Sequence, residues 1–164
     1  MLPKETILFV VESGSLDYTL PGGVQVCTEE LLHYFRLTSF DLNVLPVKTT
    51  GRVKDRIRIK LGLDVYQSFD FALLAEDICR QLEKSTISVV ALNQVVFAPV
   101  IPLVRKKIKR SLCFVALSHG NESGDFLHEN HVAPLLKLWK IGKQILEERQ
   151  FYSQYLDGVV VISE

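Results

Sequence analysis

Residues 6–37 read TILFVVESGSLDYTLPGGVQVCTEELLHYFRL, and the order of features within them decides the fold class. The run 6–11 (TILFVV) is apolar without alternation and rich in β-branched residues. A strand buried on one face alternates apolar with polar, whereas one buried on both faces, as in a parallel sheet, does not. A loop follows over 12–23, carrying Ser13, Gly14, Ser15, Pro21 and the pair Gly22 and Gly23. The stretch 24–37 then sets Val24, Cys27, Leu31, Leu32 and Phe35 at spacings of three and four, with Glu29, Glu30 and His33 off that stripe. That period predicts a helix. Strand, glycine loop and helix open a βαβ unit.

The alternation continues outward from this unit. Residues 42–47 (LNVLPV) read as a second strand, with Pro46 assigning it to an edge. Residues 56–61 alternate charged with aliphatic, the pattern of a half-exposed strand or hairpin arm. Helices are predicted over 71–82 (FALLAEDICRQL), over 95–109 despite Pro99 and Pro102, and over 134–155. In the last of these, Leu135, Leu138, Trp139, Ile145 and Leu146 are expected to face inward. Buried strands are predicted over 87–92 (ISVVAL), 112–117 (LCFVAL) and 158–162 (GVVVI). The sum is an α/β fold: one Rossmann-like domain over 1–164, its sheet mainly parallel, with helices on both faces.

Composition narrows the function. A length of 164 residues suits one domain, and 48% hydrophobic with 23% charged residues is a globular composition. Nineteen basic residues against nineteen acidic argue against nucleic acid as a partner, because such binders carry a positive excess. Three scattered cysteines, Cys27, Cys79 and Cys113, without a CxxC pair, suit a reducing compartment. The apolar run 7–11 is too short for a signal h-region and is followed by Glu12, so a cytoplasmic protein is expected.

In open α/β sheets, ligands bind at the carboxyl ends of the strands. Three polar turns fall at such ends, near Gly22 and Gly23, at Asn93 and Gln94, and over 118–125. Glycines ahead of a helix let a phosphate approach the backbone N–H groups and the positive end of the helix dipole. The same glycines are also what a loop needing positive φ would use. The spacing is neither G-x-G-x-x-G nor a P-loop. His119, directly after a strand and before Gly120, has the pKa range and the position to contact reacting groups, or is a structural histidine. Glu122 can accept bonds from sugar hydroxyls, while Asp125 reads as a solvated loop charge. GNESG at 120–124 misses the nucleophile elbow by one place, and HENH at 128–131 is one residue short of a zinc helix. No metal is expected. Two basic runs, from Lys48 to Lys60 and from Arg105 to Arg110 (RKKIKR), suggest peripheral contact with an anionic membrane, or solvated helix ends.

The ordered set ILFVVES, GGVQVCTEELLHYF, SLCFVALSHGNES and LDGVVVISE resembles the N-terminal domain of family-4 glycosyltransferases of the GT-B type. The resemblance implies an acceptor-binding half of a retaining enzyme that moves a sugar from a nucleotide-sugar donor to an acceptor hydroxyl, on a sugar, a lipid-linked group or another molecule. It implies Gly22 and Gly23 against the donor diphosphate, His119 as the catalytic residue, and Asn93, Gly120, Asn121 and Glu122 at the acceptor or sugar. Relatives carry histidine-containing turns where this chain has Asn93 and Gln94. The nucleotide-sugar is a co-substrate held mainly by a C-terminal domain absent from these 164 residues, so the isolated domain is expected to be inactive. The reading from a different class is a stand-alone flavodoxin-like binding or sensory module without catalysis.

Overall fold

The computed structural model describes residues 5–19, 22–54, 57, 69–118 and 135–161. Five parallel strands form one sheet in the order β2-β1-β3-β4-β5: β1 (Thr6–Glu12), β2 (Asp41–Val47), β3 (Val89–Leu92), β4 (Cys113–Ser118) and β5 (Gly158–Val161). Four α-helices accompany them among the described residues: α1 (Gly23–Leu37), α2 (Phe71–Glu83), α3 (Ile101–Lys107) and α4 (Leu135–Gln154). The expected α/β architecture is therefore the observed one. The predicted arm at 56–61 lies largely outside the described residues, Ile57 excepted.

The non-alternating apolar run explains the position of β1. Ile7, Phe9 and Val11 point to one face and meet Leu32 of α1, with Leu31 and Phe35 packed against them. Leu8 and Val10 point to the other face, where they join Val90, Leu92, Phe114 and Ala116 under Ile78 and Leu82 of α2 and Ile101 and Val104 of α3. Both faces are covered, so alternate residues of β1 need not be polar. Pro46 does sit on β2, at one end of the strand order, where a missing ladder N–H is tolerated.

Helix ends follow local chemistry. The Asp70 carboxylate accepts the Leu73 N–H at 3.1 Å, capping α2 at its start. At its end, Arg110 donates to the carbonyls of Leu82 and Ser85 at 2.8 and 3.0 Å.

Three expectations are corrected. The helix over 95–109 is two pieces, a 3-10 helix at Val95–Val100 followed by α3. Pro99 has no N–H and its ring obstructs the carbonyl four residues back, so the α-helix starts only after it. In α4 the inward stripe is not the expected set: Leu135, Trp139 and Leu146 are 85%, 65% and 60% exposed. Ile141 and Glu148 are buried instead, flanked by half-buried Leu138, Ile145 and Tyr152 at spacings of three and four. Strand β5 is likewise no buried strand, because it ends the strand order and leaves Val159 and Val160 39% and 48% exposed.

Candidate functional site

The strand order reverses between β1 and β3, with β2 lying on the far side of β1. A crevice at the carboxyl ends of those two strands is where such folds place ligands. The N-terminus of α1 reaches this rim. Its first intrahelical bond runs from Val26 N–H to Gly22 C=O at 3.1 Å, so the N–H groups of Gly23, Val24 and Gln25 precede the hydrogen-bonded ladder. The Gly22 N–H is given to Gln25 Oε1 at 3.2 Å, and Gln25 Nε2 donates to Gly14 C=O at 3.3 Å. One glutamine thereby ties the helix start to the 3-10 helix Ser13–Leu16 that follows β1. Ser13 Oγ donates to Val47 C=O at 3.0 Å and holds that turn against the end of β2.

The two glycines can now be judged by their backbone. Among the described glycines only Gly51 has positive φ. Gly22 has φ −101°, which any residue adopts. At Gly23 a Cβ would meet nothing within 4 Å, and at Gly22 it would meet only the movable Gln25 carboxamide, at 2.9 Å. Neither the backbone nor internal packing therefore requires glycine at position 23.

Asn93 stands at the end of β3, as its sequence position implies, but its side chain turns inward. Its exposure is 0%, and Nδ2 donates to Thr28 Oγ1 at 3.1 Å. Thr28, also fully buried, passes its own proton to Val24 C=O at 2.6 Å. The Asn93 N–H bonds Val10 C=O at 2.8 Å, so one residue joins β1, β3 and α1. The bond to Thr28 holds the amide inside the fold, against α1. Thr28 and Gln25 were not among the candidates from sequence. The signals were a glutamine at the third helical position, which is the capping-box place, and a hydroxyl on the inward side of α1.

Glu12 ends β1 on the same rim, and burial pushes its carboxyl above the ordinary glutamate value of 4.5. The remaining candidates, His119, Gly120, Asn121 and Glu122, lie outside the described residues, as do Asp125, His128 and His131. Among the described residues no cluster of His, Cys, Asp and Glu side chains could hold a metal ion. A cavity of about 370 Å³ lies at the opposite rim, lined by Leu32, Phe35, Arg36, Phe40 and Leu42 among others. It opens beside the start of β2, away from the crevice.

The basic run 105–110 is largely engaged within the domain. Arg105 pairs with Asp157 at 2.9 Å and lies 5.4 Å over the Phe114 ring, and Lys107 lies 3.6 Å from Glu76. Arg110 donates to the carbonyls of Leu82 and Ser85. Among the described residues no helix is long and apolar enough to cross a membrane.

No protein-family model matches the chain, and no curated protein does. Among solved structures it is similar to an ABC transporter solute-binding protein from Burkholderia multivorans holding an unknown ligand, at 11% identity and a TM-score of 0.40. The similarity covers 97% of this chain and 61% of that structure, and at this TM-score it carries no argument about function.

Proposed function

We propose that this domain forms one wall of the cleft of a cytoplasmic retaining glycosyltransferase of carbohydrate biosynthesis. The N-terminus of α1 would meet the donor diphosphate, and the acceptor hydroxyl would lie along the strand ends. Breaking the bond between the anomeric carbon and the phosphate oxygen leaves growing negative charge on the diphosphate. The N–H groups of Gly23, Val24 and Gln25 are already aimed by the helix and would stabilise that charge without reorganising. The second wall would come from a donor-binding domain, with His119 beside the transferred sugar.

The observation that carries this reading is Gly23, a glycine with no conformational or packing need for its missing Cβ. Clearance for a phosphate supplies the reason. Gly23→Ala therefore separates the accounts. Backbone N–H shifts during titration with nucleoside diphosphates and their sugar esters should centre on residues 23–25 in the wild type. In the variant the affinity should fall about tenfold or more if the methyl displaces the phosphate by about 1 Å. Folding stability should stay equal or rise by up to about 1 kcal/mol, since alanine restricts the unfolded chain. Equal affinity in both proteins would overturn the proposal.

The strand order β2-β1-β3-β4-β5 favours a second reading, because flavodoxin-type folds share it and bind flavin nucleotide at the same switch point. Binding of flavin mononucleotide in preference to every nucleotide-sugar would support that module instead.

A further inference from the structure

Four polar side chains are buried among the described residues: Ser15, Thr28, Asn93 and Glu148. Three of them have partners, since Asn93 donates to Thr28, Thr28 donates to Val24 C=O, and Glu148 is engaged as well. Ser15 is different. It is 4% exposed, and its hydroxyl bonds to nothing among the described residues. A buried polar group without a partner is rare in folded proteins and needs a reason. Its place in the fold supplies one. Ser15 lies in the 3-10 turn Ser13–Leu16 at the carboxyl end of β1. With three residues per turn, Ser13 and Leu16 share one side, while Gly14 and Ser15 take the other two. The first side faces β2 and α1, because Ser13 bonds Val47 and Leu16 packs on the cluster of Phe9 and Leu32. Gly14 is exposed. The enclosed side left to Ser15 is the one toward β3 and the crevice. The start of α1 reaches the same place. Thr28, about one turn into the helix, is held by Asn93 at the end of β3, so the first turn projects beyond the strand ends. Gln25 ties that turn to Gly14, the neighbour of Ser15.

We infer that Ser15 is a ligand of the phosphate group bound at the start of α1. Its hydroxyl donates to a phosphate oxygen beside the N–H groups of Gly23, Val24 and Gln25, and this bond satisfies the otherwise orphaned group. The inference rests on the anion site proposed above and adds a side chain to it. Backbone N–H groups at a helix start accept many oxyanions, whereas a hydroxyl held on a tied turn fixes where the phosphate sits. The ligand chemistry is a phosphate ester, supplied either by the diphosphate of a nucleotide-sugar or by the monophosphate of a flavin nucleotide.

The test titrates uridine diphosphate, flavin mononucleotide and inorganic phosphate into the wild type, Ser15→Ala and Ser13→Ala by calorimetry, with thermal melts of the unliganded proteins. Ser15→Ala should weaken the tightest of these probes by about tenfold to a hundredfold, the worth of a hydrogen bond to a charged group. Its melting temperature without ligand should be equal or higher, because the hydroxyl removed has no partner in the fold. Ser13→Ala loses the bond to Val47, so its melting temperature should fall while the affinity of the folded protein holds. Tightest binding of uridine diphosphate identifies the diphosphate ester, and of flavin mononucleotide the monoester; either one, weakened in Ser15→Ala, supports the inference. Binding of equal strength in the wild type and Ser15→Ala would overturn it and leave the helix-start site standing. An equal loss of affinity in Ser13→Ala would also overturn it, since the whole turn and not the Ser15 hydroxyl would then be responsible. A wild type that binds none of the three probes overturns both the inference and the anion site beneath it.

Discussion

Strands β1 and β5 are built from nearly the same residues, ILFVV and GVVV, and meet opposite fates. Strand β1 has a neighbour along each edge and helices over both faces, so Phe9 and Val10 are 0% exposed. Strand β5 has β4 on one side and ends the strand order, and Val159 and Val160 stay partly in solvent. Its attachment is polar instead. Asp157, just before it, accepts the Phe114 N–H at 2.8 Å and pairs with Arg105 over the Phe114 ring. The difference teaches that an apolar run specifies a strand, while its neighbours decide whether burial or a polar clasp holds it.

The largest effect that can break this comparison is a matched truncation. Phe9→Ala should cost about 3–5 kcal/mol, because the side chain is fully buried between the sheet and α1. Val160→Ala should stay within about 0.5 kcal/mol, as for other surface changes. Denaturant unfolding of both variants measures the gap. Equal losses would mean that the edge is as deeply packed as the centre.

Two polar clasps give the next contrast. Asn93 and Thr28 are both fully buried, so Asn93→Ala leaves the Thr28 hydroxyl short of a partner inside the fold. A loss of about 2–3 kcal/mol is expected. Arg105 and Asp157 are 40% and 44% exposed, and water can replace either group. A double-mutant cycle across that pair should give a coupling of no more than about 1 kcal/mol. A larger coupling at the exposed pair than the loss at Asn93 would reverse the ranking of centre and edge.

The same contrast explains what could be read from the sequence. Strand β1, α1 and α2 were legible because each presents one period and one apolar face or run. Helix α4 was not, because apolar residues occupy both its sides, and periodicity cannot choose between the stripe through Leu135 and that through Ile141. Pro99 gave local warning of a broken helix, yet the extent of the 3-10 segment depended on packing under β3. At the rim, the Gly22 and Gly23 turn was found in its expected place. The inward turn of Asn93 was hidden, because its partner Thr28 lies 65 residues away. His119, the strongest chemical candidate from sequence, lies outside the described residues.

The smallest expected effect belongs to Glu12, a charge at the end of the interior strand β1. Burial raises its carboxyl above 4.5, so the folded chain keeps a proton that the unfolded chain gives up. Between pH 4.5 and that raised native value the native state binds more protons, and stability falls as pH rises. Above the window the loss is complete and constant. Glu12→Gln removes the ionisation while keeping the shape. Thermal melts should therefore coincide for wild type and variant below pH 4.5 and separate above it, with the variant the more stable at neutral pH. An edge carboxylate such as Asp157 accepts a backbone N–H and faces Arg105, so neutralising it by Asp157→Asn should give no such gain. If Glu12→Gln is instead the less stable protein at neutral pH, the Glu12 carboxylate has a favourable partner at the rim, and the rise attributed to burial is wrong.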